Sequence, residues 1–203
     1  MKNTAYFRQT KRKNVLIIVK WDDLMRGEAW TEGSAVTIGV FDGVHRGHRA
    51  LLDRITASPY RSVVVTFSVS PRQFFHQGSY SGDIVSLDRK LELFDETGIE
   101  TCVLIDFSET FSRMTGGSFI GKLSRAVNMR YIVVGADFHC GYRNDTDAAA
   151  IKRLARASGI EAEVALPVME GGLPVSSSRI RHALAMGEYG LAAALLGRGV
   201  ERL

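Results

Sequence analysis

The segment GVFDGVHRGH, residues 39–48, combines two histidines with three glycines directly after an apolar run. The first two glycines allow a backbone to approach a phosphate closely. Gly47 begins a predicted helix, whose free N–H groups and dipole favour an anion. His45 and His48 can donate hydrogen bonds to phosphate oxygens, and such bonds strengthen as negative charge develops. The pattern therefore indicates phosphoryl or nucleotidyl transfer.

Two other interpretations of the same histidines remain open. Their three-residue spacing could place both on one helical face as metal ligands, with His139 or Cys140 completing a zinc site. Alternatively, His45 lies in a loop and His48 packs on the helix, with no ligand at all. The segment matches neither GxxxxGK[ST] nor GxGxxG, which argues against ordinary kinases and dehydrogenases.

A second candidate phosphate site is VSSSRIRHAL, residues 175–184. One serine is enough to cap a helix, and a redundant N-cap is the structural alternative. Three consecutive serines at a helix start also form a cluster of hydroxyl and N–H groups. Arg181, in the first turns of that helix, presents a planar fork that suits a phosphate.

Two further loops, TFSVSPRQFF and VGADFHCGYRND, also follow predicted strands. Phe67, Phe74 and Phe75 of the first loop either wall a flat ring or pack in the core. Asp137 of the second loop either contacts a ligand or caps a local turn. His139 is interpreted as an ordinary loop residue.

The elements that must position these loops alternate between strand and helix. Apolar runs predict strands in VLIIV, SAVTIGV, RSVVVTF, ETCVLIDF, RYIVVGADF and EAEVALPV. Helical periodicity follows most of them, with Ser86 and either Asp145 or Thr146 as predicted caps. One helical region is predicted to break at Gly116–Gly117.

This alternation predicts an α/β fold, a doubly wound parallel sheet of the Rossmann-like type with helices on both faces. Ligands bind such sheets beyond the carboxyl ends of the strands. The strand-end loops that carry candidate residues should therefore open onto one edge of the sheet.

Composition suits one soluble domain of 203 residues, with 45% hydrophobic and 24% charged residues. Residues 1–14 are predicted to be a basic, disordered tail, 15–198 a single domain and 199–203 the C-terminal end. No apolar run approaches the roughly 20 residues of a membrane span. Cys102 and Cys140 are interpreted as packing residues, which fits a reducing cytoplasm.

The net charge of +4 suits phosphate-bearing ligands. The chain lacks the interleaved aromatic and basic residues of single-strand binders, so no nucleic-acid partner is expected. No membrane partner is expected either, and the oligomeric state stays open.

In their order along the chain, GVFDGVHRGH, TFSVSP, VVGADFHCG, VSSSRIR and LLGR resemble a known family. This is the FMN adenylyltransferase (FAD synthetase) domain of bacterial bifunctional riboflavin kinase/FAD synthetases, and the resemblance covers roughly 36–198. HxGH alone marks the wider nucleotidyltransferase superfamily, which includes pantetheine-phosphate and nicotinate-mononucleotide adenylyltransferases. The preceding Phe41-Asp42-Gly43 triplet narrows the resemblance to the flavin branch.

The resemblance implies a Rossmann-like nucleotidyltransferase fold and transfer of AMP from ATP to FMN, giving FAD and pyrophosphate with Mg²⁺. The FMN phosphate attacks ATP directly, without a covalent enzyme intermediate. The implied catalytic residues are His45, His48 and Arg181. Implied ATP contacts are Gly39, Phe41, Asp42, Gly43, His45, His48, Gly135, Ser177, Ser178 and Arg181. Implied FMN contacts are Thr66, Phe67, Ser70, Pro71, Phe74, Asp137, Phe138 and Arg143. No side chain is assigned as a metal ligand.

Three departures from the family pattern stand out. Ser68, Val69 and Ser70 replace the residues of a proline–histidine–proline type run before Pro71, so the histidine is missing. The family's DFRFG is DFHCG here. The chain also ends just after LLGRG, where the bifunctional proteins continue into a riboflavin kinase barrel, so no riboflavin kinase activity is expected. The altered flavin-side loops motivate two alternatives, a nucleotidyltransferase for another phosphorylated acceptor and a non-catalytic flavin or nucleotide binder.

Overall fold

The computed structural model describes residues 6–7, 15–75, 78 and 82–200. The strands are β1 (Tyr6–Phe7), β2 (Ile17–Lys20), β3 (Ser34–Ile38), β4 (Arg61–Phe67), β5 (Thr101–Ile105), β6 (Met129–Gly135), β7 (His139–Cys140), β8 (Thr146–Asp147), β9 (Glu161–Ala165), β10 (Met169–Glu170) and β11 (Leu173–Pro174). The helices are α1 (Trp21–Arg26), α2 (Arg46–Thr56), α3 (Pro71–Phe75), α4 (Leu87–Glu96), α5 (Glu109–Ser112), α6 (Gly116–Ala126), α7 (Ala148–Ala157), α8 (Ser177–Ala185) and α9 (Tyr189–Leu196).

The main sheet has the strand order β1-β2-β5-β4-β3-β6-β9. Every neighbouring pair is parallel except β1 and β2. The chain runs outward from β3 to β4 and β5, and then continues on the other side of β3 with β6 and β9. The predicted doubly wound parallel sheet is confirmed. Its topological switch point lies between β3 and β6, where ligands bind in such sheets.

Both faces of the sheet are apolar, because helices cover both. In β4, Val63 and Val65 join one core cluster, whereas Val64 between them joins the other. Side chains alternate between the faces of a strand, so a strand buried on both sides must be hydrophobic throughout. Cys102 lies in the second cluster, fully buried, as expected for a packing residue.

Each face has its own helices. Trp21 of α1, Phe119 of α6 and Ile151 of α7 belong to the first cluster. Leu52 of α2 and Phe94 of α4 belong to the second. A third, smaller cluster lies under α8 and α9 and joins these helices to residues 84–85. This packing holds the serine-rich start of α8 close to the rest of the domain.

The predicted break at Gly116–Gly117 was wrong in position. Both glycines belong to α6, and the break lies at 113–115. The side chain of Thr115 accepts a hydrogen bond from the Ser118 N–H group and caps the new helix. A good N-cap therefore outweighs the low helix propensity of the glycines.

The predicted cap of α7 was also wrong, by one or two residues. Asp147 caps this helix, because its Oδ1 accepts a 2.7 Å hydrogen bond from the Ala150 N–H group. Asp145 instead accepts hydrogen bonds from the Gly116 N–H group and the Thr146 hydroxyl, both at 2.9 Å. Three consecutive residues of this stretch suit an N-cap, and tertiary contacts choose among them.

Within the predicted disordered tail, Tyr6–Phe7 forms a short antiparallel pairing with β2. The rest of that tail, residues 1–5 and 8–14, and residues 201–203 lie outside the described part of the chain. The domain boundaries therefore stay a prediction. Among the described helices, none is both long and apolar enough to cross a membrane.

Candidate active site

The loop between β3 and α2, residues 39–45, is called the histidine loop below, and its backbone is strained. Phe41 and Val44 have φ values of 52° and 39°, in the left-handed region, and Gly43 has φ 82°. Such values are uncommon for residues other than glycine, and for a β-branched residue such as Val44 they are genuine outliers. Strain of this kind persists where surrounding contacts impose it, and it concentrates at functional sites.

Distant parts of the chain impose this conformation through hydrogen bonds to the loop's oxygens. The Asp42 carboxylate accepts from the Ile84 N–H group at 2.7 Å and from Arg181 Nη2 at 2.5 Å. The Ser177 hydroxyl donates to the Asp42 carbonyl at 2.9 Å. Arg198 donates to the carbonyls of Gly43 and Val44 at 2.8 and 3.2 Å. The structure therefore brings the two predicted phosphate motifs into direct contact.

Asp42 and Arg181 form a buried ion pair, with 3% and 20% of their side chains exposed. Burial raises the pKa of Asp42, against the Ile84 hydrogen bond and the Arg181 charge, which lower it. Since both carboxylate oxygens already have protein partners, Asp42 orients Arg181 and the loop. The Nε atom of Arg181 is buried and has no partner among the residues that the structure describes.

The three serines of the second motif have different surroundings. Ser176 is the N-cap of α8 and accepts from the Arg179 N–H group at 3.3 Å. Ser177 holds the histidine loop, and Ser178 is exposed in the first turn. The N-cap alternative is therefore correct for Ser176, while Ser177 connects the two motifs.

The two histidines stack on each other at the start of α2. Their ring centroids lie 3.5 Å apart with an interplanar angle of 15°. His45 caps the helix, because its Nδ1 accepts from the His48 N–H group at 3.3 Å, which leaves Nε2 as the protonated nitrogen of a neutral ring. Nδ1 of His48 is buried without a hydrogen-bond partner in the described structure. The His48 ring also lines the cavity described below, so it is the histidine placed to meet a ligand there.

This geometry gives the zinc alternative no support. Stacked rings do not converge on a common point as tetrahedral ligands must. No group of three His, Cys, Asp or Glu side chains is arranged to hold a metal ion in residues 15–75 and 82–200.

Burial keeps both histidines neutral near pH 7. It lowers the pKa of His45 to about 4. Burial also lowers the pKa of His48 well below its usual value, and the neighbouring His45 and the positive charge of Lys90 act in the same direction. Neutral imidazoles at this position can donate one hydrogen bond each without a charge that must be desolvated.

We expect the protein to lose stability as the pH falls from about 6.5 toward 4. The pKa of His45 is lowered from 6.5 to about 4, so acid protonates the unfolded chain first and favours it. Between pH 7 and pH 5 this costs about 2 kcal/mol for His45. Urea unfolding of the wild type and a His45→Asn variant at both pH values measures it. An equal pH-dependent loss in the two proteins would contradict the assignment.

A cavity of about 750 Å³ begins at His48 and is lined by residues that follow the ends of β3, β4, β5 and β6. Gly39 and Phe41 of the histidine loop line the cavity, together with His48 of α2. Many of the other lining side chains are aromatic. These rings are Phe67, Phe75, Phe107, Phe111, Phe119, Phe138 and Tyr142. A cavity of this size and polarity suits a large flat ligand.

The loop that follows β6 is anchored to the start of α6. Tyr142 N–H donates to the Met114 carbonyl at 2.9 Å. Gly141 has φ 83°, and a Cβ atom there would lie 2.2 Å from both Asp145 Oδ1 and Gly116 N. Only glycine fits this close approach. The approach holds the loop in its position beside the cavity.

Most of the implied flavin residues line the cavity, but three do not. The lining ones are Phe67, Pro71, Asp137, Phe138 and Arg143, with Gly135 of the implied ATP set. The Thr66 hydroxyl donates to the Val40 carbonyl, Ser70 accepts from Gln73 N–H, and Phe74 packs edge-on against Phe75 and Phe107.

Sequence reasoning missed several cavity residues. Phe107, Phe111 and Phe119 lie beyond the end of β5, and Cys140 and His139 also line the cavity. Phe107 could have been found, because it ends a predicted strand just as Phe67 does. Phe111 and Phe119 lie on short helices, where an aromatic residue reads as ordinary core.

Comparison with known proteins agrees with the family resemblance of the sequence motifs. The chain is 31% identical over 175 residues to the bifunctional riboflavin kinase/FMN adenylyltransferase of Escherichia coli (strain K12). That match covers 84% of this chain and 56% of the relative, so the chain spans slightly more than half of that protein. A shorter relative from Geobacillus thermodenitrificans is 34% identical over 169 residues, covering 81% of this chain and 90% of the relative.

Two solved structures share the fold. A macrolide-efflux protein from Streptococcus pneumoniae superposes with a TM-score of 0.78 at 26% identity, over 90% of this chain and 60% of that one. Pantoate-beta-alanine ligase from Francisella tularensis gives a TM-score of 0.58 at 12% identity, over 82% and 73% of the two chains. The second likeness concerns the fold alone.

A sequence profile of the FAD synthetase family matches residues 28–179. The matched region contains the histidine loop, the aromatic cavity and the serines at the start of α8. The chain therefore belongs to the FAD synthetase family.

Proposed function

We propose that this chain is an FMN adenylyltransferase, which transfers AMP from ATP to FMN and releases pyrophosphate and FAD. The observation that carries the proposal is one continuous site. His48, which stacks on His45 at the start of α2, lies at one end of an aromatic cavity of about 750 Å³. The serine and arginine of α8 hold the loop that precedes this helix.

The reaction needs positioning and charge stabilisation more than covalent chemistry. The FMN phosphate oxygen attacks the α-phosphorus of ATP, and the bond to the β-phosphate oxygen breaks. The start of α2, with free N–H groups and neutral His45 and His48, supplies hydrogen-bond donors for the phosphates. Arg181, partly exposed beside Asp42, supplies positive charge for the pyrophosphate that leaves.

Mg²⁺ is implied by the family and prefers oxygen ligands. Asp137 is the carboxylate that lines the cavity in the described structure, and the Asp42 carboxylate is occupied by Arg181 and Ile84. The donor set therefore fits a magnesium ion held mainly by the ATP phosphates, to which the Asp137 carboxylate could add a protein ligand. Bound there, Mg²⁺ would neutralise phosphate charge.

The unpaired cysteines support a reducing compartment, and the cytoplasm is the location that we propose. Cys102 is buried and Cys140 half-buried, and both are free thiols. Burial raises the pKa of each to about 12, so both stay protonated and unreactive.

The direct test incubates purified protein with FMN, ATP and Mg²⁺, separates the flavins by chromatography and measures pyrophosphate. Formation of FAD with an equal amount of pyrophosphate supports the proposal. Absence of product from folded protein would refute it. A panel of other phosphorylated acceptors and nucleotides tests the alternative enzyme, and tight FAD binding without turnover would indicate a non-catalytic binder.

Phe75 offers a test of the flavin side that leaves the fold intact. Its ring lines the cavity although 60% of the residue is exposed. We expect Phe75→Ala to raise the KM for FMN about tenfold, for a lost contact of about 1.4 kcal/mol. The kcat and the KM for ATP should change little. Steady-state kinetics with each substrate varied in turn measures this.

Tyr189→Ala is the matched control. Tyr189 is exposed to a similar extent, 62%, and it lies outside the cavity lining. It should leave both KM values at the wild-type level. If both variants raise the KM for FMN equally, Phe75 has no specific role in flavin binding.

A further inference from the structure

Lys90 is buried inside the domain, which is unusual for a lysine. Only 2% of the residue is exposed, and it lies on α4. Its Nζ atom donates to the Val40 carbonyl oxygen at 3.2 Å. Lysine is almost never fully buried unless its charge has partners, so this position requires a specific reason.

Acidic groups act on Lys90, and one of them, Asp42, belongs to the histidine loop. Burial lowers the pKa of Lys90, while the negative charges of Asp83 and Asp42 raise it and favour the ammonium form. Cys102 of β5 faces the same group, and the positive charge of Lys90 helps to keep His48 neutral. Lys90 therefore lies between the segment before α4 and the histidine loop.

The Val40 carbonyl has two donors. Besides Lys90, the Thr66 hydroxyl donates to it at 3.0 Å. Val40 immediately precedes Phe41, whose φ of 52° begins the strained turn. The Phe41 ring contacts the His48 ring edge-on, with centroids 5.0 Å apart. A continuous set of contacts therefore leads from Lys90 through Val40 and Phe41 to His48.

We propose that Lys90 is a positioning residue for adenylyl transfer, an inference that rests on the proposed function. Its ammonium group and the Thr66 hydroxyl hold the Val40 carbonyl. That carbonyl sets the conformation of the strained turn and thereby the position of the His48 ring. Lys90 does not line the cavity, so it acts through the loop.

The test compares Lys90→Met with Lys122→Met, whose lysine is exposed on α6. We expect Lys90→Met to lower kcat about 10- to 100-fold, as expected for a misplaced catalytic group, and to leave the KM for FMN within about twofold. Lys122→Met should behave as wild type. Assays are run at a temperature where thermal unfolding shows every variant to be folded.

Thr66 provides a second variant that removes only the other hydrogen bond to the same carbonyl. Thr66→Val should lower kcat in the same way, and Thr66→Ser, which keeps the hydroxyl, should retain wild-type kcat. If Lys90→Met does not fold, this pair decides the proposal. An increase in the KM for FMN with unchanged kcat would instead make Thr66 a flavin contact and overturn the proposal.

Side-chain NMR of the histidines supplies a readout that needs no activity. Lys90→Met should shift the ring resonances of His48 and leave those of the exposed His139 and His182 unchanged. If the wild type makes no FAD, the proposed function fails and this measurement alone decides the role of Lys90. Unchanged His48 resonances, or unchanged kcat in an active enzyme, would overturn the proposal.

Discussion

Replacing His48 with alanine is expected to lower kcat for FAD formation by about 10²- to 10³-fold, the effect of removing one donor from a site of developing charge. The His48 ring lines the cavity, packs against Phe41 and stacks on His45. Its removal leaves the phosphates without this donor in the transition state, while most of the flavin contacts remain. Flavin chromatography at saturating FMN and ATP measures the rate.

His182→Ala is the matched control, because His182 is exposed on α8. It should retain wild-type kcat. Binding of FMN, followed by flavin fluorescence, should survive in His48→Ala. A His48→Ala variant that makes FAD at the wild-type rate would remove the histidine from the mechanism, and a wild type that binds FAD tightly without turnover would favour the non-catalytic alternative.

The second large effect is expected at the buried ion pair. Asp42→Ala leaves the Arg181 guanidinium and the Ile84 N–H group without their acceptor. Removing one partner of a buried pair costs about 3–5 kcal/mol. Because Arg181 remains 20% exposed, water offsets part of the loss, and we expect about 3 kcal/mol. Urea unfolding at pH 7 measures the free energy of unfolding.

Asp42→Ala should also abolish most FAD synthesis, because the same carboxylate orients Arg181 and the histidine loop. The matched control is Glu109→Gln, which breaks the Arg113–Glu109 pair, whose side chains are 71% and 74% exposed. That substitution should change stability by less than about 0.5 kcal/mol. Equal stability losses in the two variants, or full activity in Asp42→Ala, would show that the buried pair has no special role.

The local sequence pattern predicted most of the strands and helices of the fold. Apolar runs of β-branched residues predicted β3, β4 and β6, because strands buried on both faces allow no other composition. Strand-end position marked Phe67 and Asp137 as candidate ligand contacts, and both line the cavity. Local pattern failed where neighbouring residues are chemically equivalent, as at the cap of α7, since long-range hydrogen bonds then make the choice.

Long-range contacts decided the roles of individual side chains. Asp42 and Arg181 are 139 positions apart, and Lys90 is 50 positions from Val40. Nothing near Lys90 in the sequence marks it, because an amphipathic helix normally directs a lysine to water. Burial against the histidine loop is visible only once α4 has packed.

The sequence by itself determined the chemistry available to this protein. The spacing within GVFDGVHRGH and VSSSRIR already specifies two helix starts suited to phosphates, because glycines, caps and dipoles act over a few residues. Only the tertiary structure decided how that chemistry is arranged. The ion pair between the two motifs, the stacked neutral histidines and the buried lysine all arise from packing between segments far apart in the chain, and their protonation states follow from that burial.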